Sequence, residues 1–146
     1  MGTKVRDVMT ERPRSVTPQT PVSEVAQLME SDDVGSIPVV EGERLVGIVT
    51  DRDIVLRAIA RGKDPRGMPA AEVSSRELVT IDADDDLSEG LKLMAQYQVR
   101  RLPVIEEDER LVGVLSQADV AKHAKEKDAG EMLEEISQQP RGPRTR

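Results

Sequence analysis

The chain has 146 residues, a formal net charge of −7, 37% hydrophobic and 34% charged residues, and no cysteine. This length supports one globular unit with a modest core, and the lack of thiols excludes a disulfide framework, a thiol nucleophile and a thiolate metal site. With His123 as the one histidine and Tyr97 as the one aromatic residue, His-based catalysis, metal-dependent catalysis and base stacking on an aromatic platform all lack their usual side chains.

The acidity also opposes binding to a nucleic-acid backbone. The opening MGTKVRDVMT has no apolar core of a leader, Arg6 stands where myristoylation needs Ser or Thr, and no stretch is long enough to span a bilayer. The expected location is the cytoplasm, with neither membrane nor nucleic acid as partner.

In chain order, Val5, Val8 and Met9 form a short apolar turn before the Pro-punctuated ERPRSVTPQTP, where SVT reads as a first strand. Thr20 and Pro21 fit an N-cap and first helical residue, and Val25, Ala26, Leu28 and Met29 recur at helical spacing through Glu30. SIPVV, with Pro38 near its start, and LVGIV are expected to form an antiparallel hairpin around the turn EGER. A helix then carries Ile54, Ala58 and Ile59 on one face and ends at Gly62. Residues 63–71 are expected to be a linker, on the Gly and Pro content of GKDPRGMP.

The same order then returns. ELVT answers RSVT, LSEGLKLM answers VSEVAQLM, RRLPVI answers GSIPVV, and RLVGVLSQAD answers RLVGIVTDRD. The offset is 103 − 38 = 65 at the proline and 113 − 47 = 66 at the glycine, so the second hairpin turn is one residue longer. Such duplication predicts an α/β (α+β) fold of two β-α-β-β-α repeats, over residues 5–62 and 72–124, packed about a pseudo-twofold axis with a shared core and two related clefts. Residues 125–146 are expected to give a C-terminal helix, with Met132, Leu133 and Ile136 on one face, and a disordered basic tail, PRGPRTR.

The element common to both repeats is Gly-x-x-[Thr/Ser]-x-x-Asp. Thr50 with Asp53, and Ser116 with Asp119, fit a capping pair that satisfies free N–H groups at a helix start. The same geometry offers an anion site at a helix N-terminus and a carboxylate for a ribose diol. The acidic run from Asp82 to Asp86 lacks the glycine and distant bidentate glutamate of a calcium loop, and its place before a helix favours a capping and dipole role.

This doubled pattern, DVMT…VTPQTPVSEVAQLM…IPVV…LVGIVTDRD followed by LVTIDADDDLSEGLKLM…RLPVI…LVGVLSQAD, resembles a tandem pair of CBS domains, the cystathionine-β-synthase regulatory module, in its small stand-alone bacterial or archaeal form. The resemblance covers about Val5 to Ala124 and implies clefts for an adenosyl compound: AMP, ADP, ATP or S-adenosylmethionine. It assigns Asp53 and Asp119 to the ribose, Thr50 and Ser116 to the phosphate side, and Ile37 and Leu102 to the base. Thr17 and Thr80, closing SVT and LVT, would line the cleft of the opposite repeat.

Arg101 matches a cation directed at phosphate, where the first repeat has Ser36, and Arg52 is a compensating candidate whose counterpart is Ala118. For both arginines a solvated surface position is the alternative. The Asp119 cleft, completed by Thr17, is therefore expected to bind more tightly than the Asp53 cleft. The resemblance further implies a homodimer through the helices from Ile54 and Val120, and leaves open an unidentified protein target. A regulatory ligand sensor leads, a protein-interaction or structural module with vestigial clefts is the alternative, and an enzyme comes last, since nothing pairs a nucleophile with a base.

Overall fold

The computed structural model describes residues 2–138, with side chains through residue 127. The basic tail lies outside the described residues, and so do the side chains of Met132, Leu133 and Ile136. A 3₁₀ turn at Val5–Asp7 leads to β1 (Thr10–Glu11), α1 (Val22–Asp32), β2 (Ser36–Glu41), β3 (Arg44–Thr50) and α2 (Asp51–Ile54), which runs on as a π turn over Val55–Ile59. A second 3₁₀ turn at Ala70–Glu72 then precedes β4 (Ile81–Asp82), α3 (Leu87–Tyr97), β5 (Arg101–Glu106), β6 (Arg110–Ser116) and α4 (Gln117–Gln138).

The strands form one sheet in the order β2-β3-β6-β5-β4, with β1 also on β6. Both expected hairpins are present and antiparallel, each with a bulge at the same relative place, Val39/Val40 and Val104/Ile105. The halves meet where Arg44 of β3 faces Arg110 of β6, residues that are each other's counterparts across the pseudo-twofold axis.

Helix α1 starts one residue later than expected. Pro21, not Thr20, occupies the cap position, and the Thr20 hydroxyl accepts from the Thr17 N–H at 3.0 Å instead. The helix also runs past Glu30 to Asp32 and closes on Asp33, whose φ of 53° is tolerated by a short polar side chain.

The first strand expected at SVT shrinks to one parallel bridge, Val16 to Val39, and its counterpart is β4, where Ile81 faces Val104. The offset is 81 − 16 = 65, so Ile81 rather than Val79 answers Val16, and Asp82 rather than Thr80 answers Thr17. Pairing LVT with SVT slips the repeat by two residues. A slip of two keeps every side chain on its own face, so apolar alternation cannot detect it.

The expected single shared core is replaced by two clusters of buried side chains, one per repeat, and each borrows from the other half. Met68, Ala70 and Val73, from the segment expected to be a linker and its continuation, belong to the first cluster with Val25, Ile37 and Val49. Val5, with Val8 and Met9 packed beside it, belongs to the second cluster with Ile81, Leu102 and Leu115. Backbone bonds seat both segments alike: Val5 N–H donates to Asp85 O and Arg6 N–H to Ala83 O, each at 2.9 Å, while Ala70 N–H donates to Thr20 O at 2.8 Å and Ala71 N–H to Pro18 O at 2.9 Å. The acidic run holds the N-terminal segment from outside, through Asp84 to Arg6 at 3.1 Å and Asp86 to Lys4 at 3.7 Å.

The two cores fill the same space differently. In the first, Val25 of α1 and Val49 of β3 are both fully buried. Their counterparts are Gly90 and Leu115, and a Cβ on Gly90 would lie 2.8 Å from Leu115 Cδ2. Gly90→Val should destabilise by about 1–3 kcal/mol through overpacking, and Leu115→Val by about 1 kcal/mol through a cavity, whereas the double variant should recover most of the combined loss. Urea denaturation of all four proteins closes this cycle, and additive losses would refute the compensation.

Candidate functional site

β3 and β6 each pass the chain straight into a helix. Thr50 Oγ1 accepts from the Asp53 N–H and Asp53 Oδ2 accepts from the Thr50 N–H, both at 3.0 Å. In the second repeat Ser116 Oγ accepts from the Asp119 N–H at 3.0 Å and Asp119 Oδ2 from the Ser116 N–H at 3.1 Å. Both capping boxes are therefore complete.

Capping consumes one oxygen of each carboxylate and leaves Oδ1. Thr10 Oγ1 donates to Asp119 Oδ1 at 3.0 Å, and Arg57 Nε stands 3.9 Å from Asp53 Oδ1. Cap and ligand acceptor thus draw on different oxygens of one group, and the two readings of the motif are compatible.

The glycine of the motif has a packing role. A Cβ on Gly113 would lie 2.6 Å from Met9 Sδ and 2.9 Å from Thr10 O, and one on Gly47 would lie 3.2 Å from both Ser74 Oγ and Ser75 O. Each glycine gives the backbone of a crossing segment room on the strand, Thr10 pairing with Val114 and Ser75 with Ile48. This crossing delivers Thr10 to Asp119.

Beside Asp119 opens a cavity of about 190 Å³. Its apolar wall is Pro13, Val34, Ile37, Pro38, Ile48, Pro103 and Val114; its polar groups are Thr10, Arg14, Asp32, Ser36, Arg101 and Asp119. A wider, open cleft adjoins it, sharing Val34, Ser36, Ile48 and Arg101 and adding Thr50, Arg100 and Ser116 among others. Counterparts line it in pairs, Val34 with Val99, Ser36 with Arg101, and Thr50 with Ser116, as expected of a groove on the pseudo-twofold axis.

The structure thus gathers Ile37, Arg101 and Asp119 in the cavity, and Thr50 and Ser116 in the adjoining cleft. Asp53 and the exposed Arg52 lie outside both, and Leu102 is fully buried in the second core. Thr17 lies outside both as well: its hydroxyl is 3.1 Å from that of Thr20, and the place expected for it beside Asp119 belongs to Thr10. Thr80, which shares its slipped register, is likewise outside both.

Three polar residues of the cavity wall, Thr10, Arg14 and Asp32, went unanticipated. Thr10 had a signal, because DVMT and EVSS repeat at the common offset, 75 − 10 = 65. Arg14 and Asp32 had none. Arg14 Nε and Nη2 donate to Asp32 at 2.7 and 3.2 Å, and hydrogen bonding to the guanidinium holds the Asp32 carboxyl below its usual range while raising Arg14. With Arg101 and Asp119, the cavity wall carries two cations and two anions and is formally neutral.

A family model described as CBS domain matches residues 5–59 and again 70–126. The chain belongs to the CBS-domain family. It is 42% identical to the CBS domain-containing protein YhcV of Bacillus subtilis, across 92% of this chain and 96% of that protein. It also superimposes on the crystal structure of Hypoxic Response Protein I with two coordinated zinc ions, with a TM-score of 0.75 and 38% identity over 83% of this chain and 98% of that one. CBSX2 in complex with AMP superimposes with a TM-score of 0.76 and 26% identity, over 87% of this chain and 99% of that one. In this CBS pair no group of three or more His, Cys, Asp or Glu is placed to hold a metal among the described residues, and no described helix is long and apolar enough to cross a membrane.

Because Asn keeps an oxygen for the cap, Asp53→Asn and Asp119→Asn should each cost under about 1 kcal/mol, against up to about 2 kcal/mol for losing a cap outright. Chemical denaturation measures this; a variant that fails to fold would make the acid structural and weaken its assignment to a ligand.

Proposed function

We propose that this CBS pair is a regulatory module that senses an adenosyl compound, AMP, ADP, ATP or S-adenosylmethionine, and performs no catalysis. One observation carries the reading: an aliphatic slot bounded by Ile37, Pro38, Pro103 and Val114 opens onto a carboxylate, Asp119, whose Oδ2 is fixed by the cap and whose Oδ1 faces a hydroxyl. An apolar slot suits a purine face, and the outward oxygen can take a ribose O–H in exchange for Thr10. Arg101, shared with the open cleft that holds Ser116 and Arg100, then stands where a phosphate would emerge. The binding of AMP by CBSX2 supports this assignment.

On this reading the Asp119 cleft is the tighter of the two and Thr10, not Thr17, completes it. AMP at a hundred times its dissociation constant should stabilise the fold by about 2.7 kcal/mol, visible as a raised melting temperature. Asp119→Ala should abolish most of that shift and Asp53→Ala should retain most of it; equal losses would refute the asymmetry. No shift with any adenosyl compound would favour the interaction module, in which the four motif residues are caps alone.

We also infer a homodimer. Val55, Leu56 and Ile59 of the π turn are large apolar side chains left exposed, on the helix whose packing face was expected to be Ile54, Ala58 and Ile59. Burying them against a second copy accounts for their position. Equilibrium sedimentation at micromolar concentration should give twice the chain mass, and Leu56→Glu should shift it toward the monomer; a monomeric parent chain would overturn the inference.

A further inference from the structure

Asp53 and Asp119 sit in matching caps but face different neighbours. Arg57, one turn beyond Asp53, brings Nε to 3.9 Å from Asp53 Oδ1, with the arginine side chain 41% exposed and the carboxylate 17%. Its Nη1 donates to Val73 O at 3.4 Å and Ser74 O at 3.3 Å, in the segment that crosses Gly47. The guanidinium therefore ties the motif acid of the first repeat to the segment that crosses Gly47. The counterpart position, 57 + 66 = 123, holds the shorter His123. Among the described residues no arginine or lysine comes within ion-pair distance of Asp119, whose Oδ1 takes the neutral Thr10 hydroxyl instead.

We propose that Arg57 is an internal counter-ion that weakens the Asp53 carboxylate as a ribose-diol acceptor, biasing each chain toward the Asp119 site; this rests on the adenosyl-binding reading above. A diol bound at Oδ1 would meet a carboxylate already partly neutralised, which weakens the charge-assisted bonds it relies on. Any displacement of Arg57 on binding would also take its donor from the Val73 and Ser74 carbonyls. At Asp119 the exchange is one hydroxyl for another and strips no charge partner. The two clefts thus differ through a residue outside the Gly-x-x-[Thr/Ser]-x-x-Asp motif, independently of Arg101.

Titration calorimetry with AMP and with adenosine tests this in proteins that keep one cleft each. In the Asp119→Ala protein, adding Arg57→His or Arg57→Gln should tighten both ligands by about two- to five-fold, the scale of a half-exposed ion pair. Arg57→Gln keeps a donor for the two carbonyls, so it holds the crossing segment if the histidine variant unfolds, and circular dichroism melts establish that each protein is folded. In the Asp53→Ala protein, His123→Arg should weaken both ligands by a similar factor. Unchanged or weaker binding in the folded Arg57 variants overturns the proposal. A gain for adenosine with a loss for AMP would also overturn it, because Arg57 would then be a phosphate ligand. If the parent chain binds neither ligand, the adenosyl reading fails and this inference with it.

Discussion

The close passage of a backbone segment over a strand of the opposite repeat is the constraint on which the rest depends. At Gly113 the Thr10 carbonyl and the Met9 side chain come within the space a Cβ would occupy, and the Ser75 carbonyl and Ser74 side chain approach Gly47 with slightly more room. At Gly113 a side chain would collide with backbone and something would have to shift, and at Gly47 one would crowd its neighbours, so the glycine at the head of each motif eases the joining of the halves, most strictly in the second repeat. The crossing sets β1 on β6, places Val5 and Ala70 in the cores of the opposite repeats, and carries Thr10 to the acid of the second cleft.

Exchange also explains how two halves of about sixty residues are stable together. A unit of that size buries too little apolar surface to be comfortable by itself. Here each core is finished by residues whose own repeat is the other one, and in the sheet the two hairpins touch where Arg44 faces Arg110 while the crossing segments pair with the opposite hairpin at Val114 and Ile48. The site inherits this construction: its apolar wall mixes Ile37 and Pro38 of β2 with Pro103 of β5 and Val114 of β6.

Much of this was legible in the sequence, for a definite reason. Duplication reports each element twice, and a hydroxyl three residues before an acid marks a helix start whatever its further use. The hairpins, Pro38 and Pro103 in their strands, and both capping boxes followed from local pattern, whereas Ile37 and Arg101 were singled out only through the family resemblance, and the structure brings them to one cavity with Asp119. The slipped register of SVT against LVT, the shared core and the place given to Thr17 did not survive, because each depends on which segment crosses to which half. Local periodicity carries no information about that choice. Arg14 and Asp32 illustrate the same boundary: 18 residues apart and in different elements, they become neighbours only once the fold exists.

The exchanged segments also give the chain a timetable. Val5 donates to the carbonyl of Asp85, 85 − 5 = 80 residues later, and belongs to the same core cluster as Leu115, later still. During synthesis from the N-terminus the first core can close as soon as Met68, Ala70 and Val73 emerge, whereas the opening apolar residues wait for nearly all of the second repeat. The last contacts made are therefore those of the earliest residues. Pairings of such long sequence separation slow folding, and the seating of Thr10 across Gly113, which completes the wall of the Asp119 cavity, is one of them.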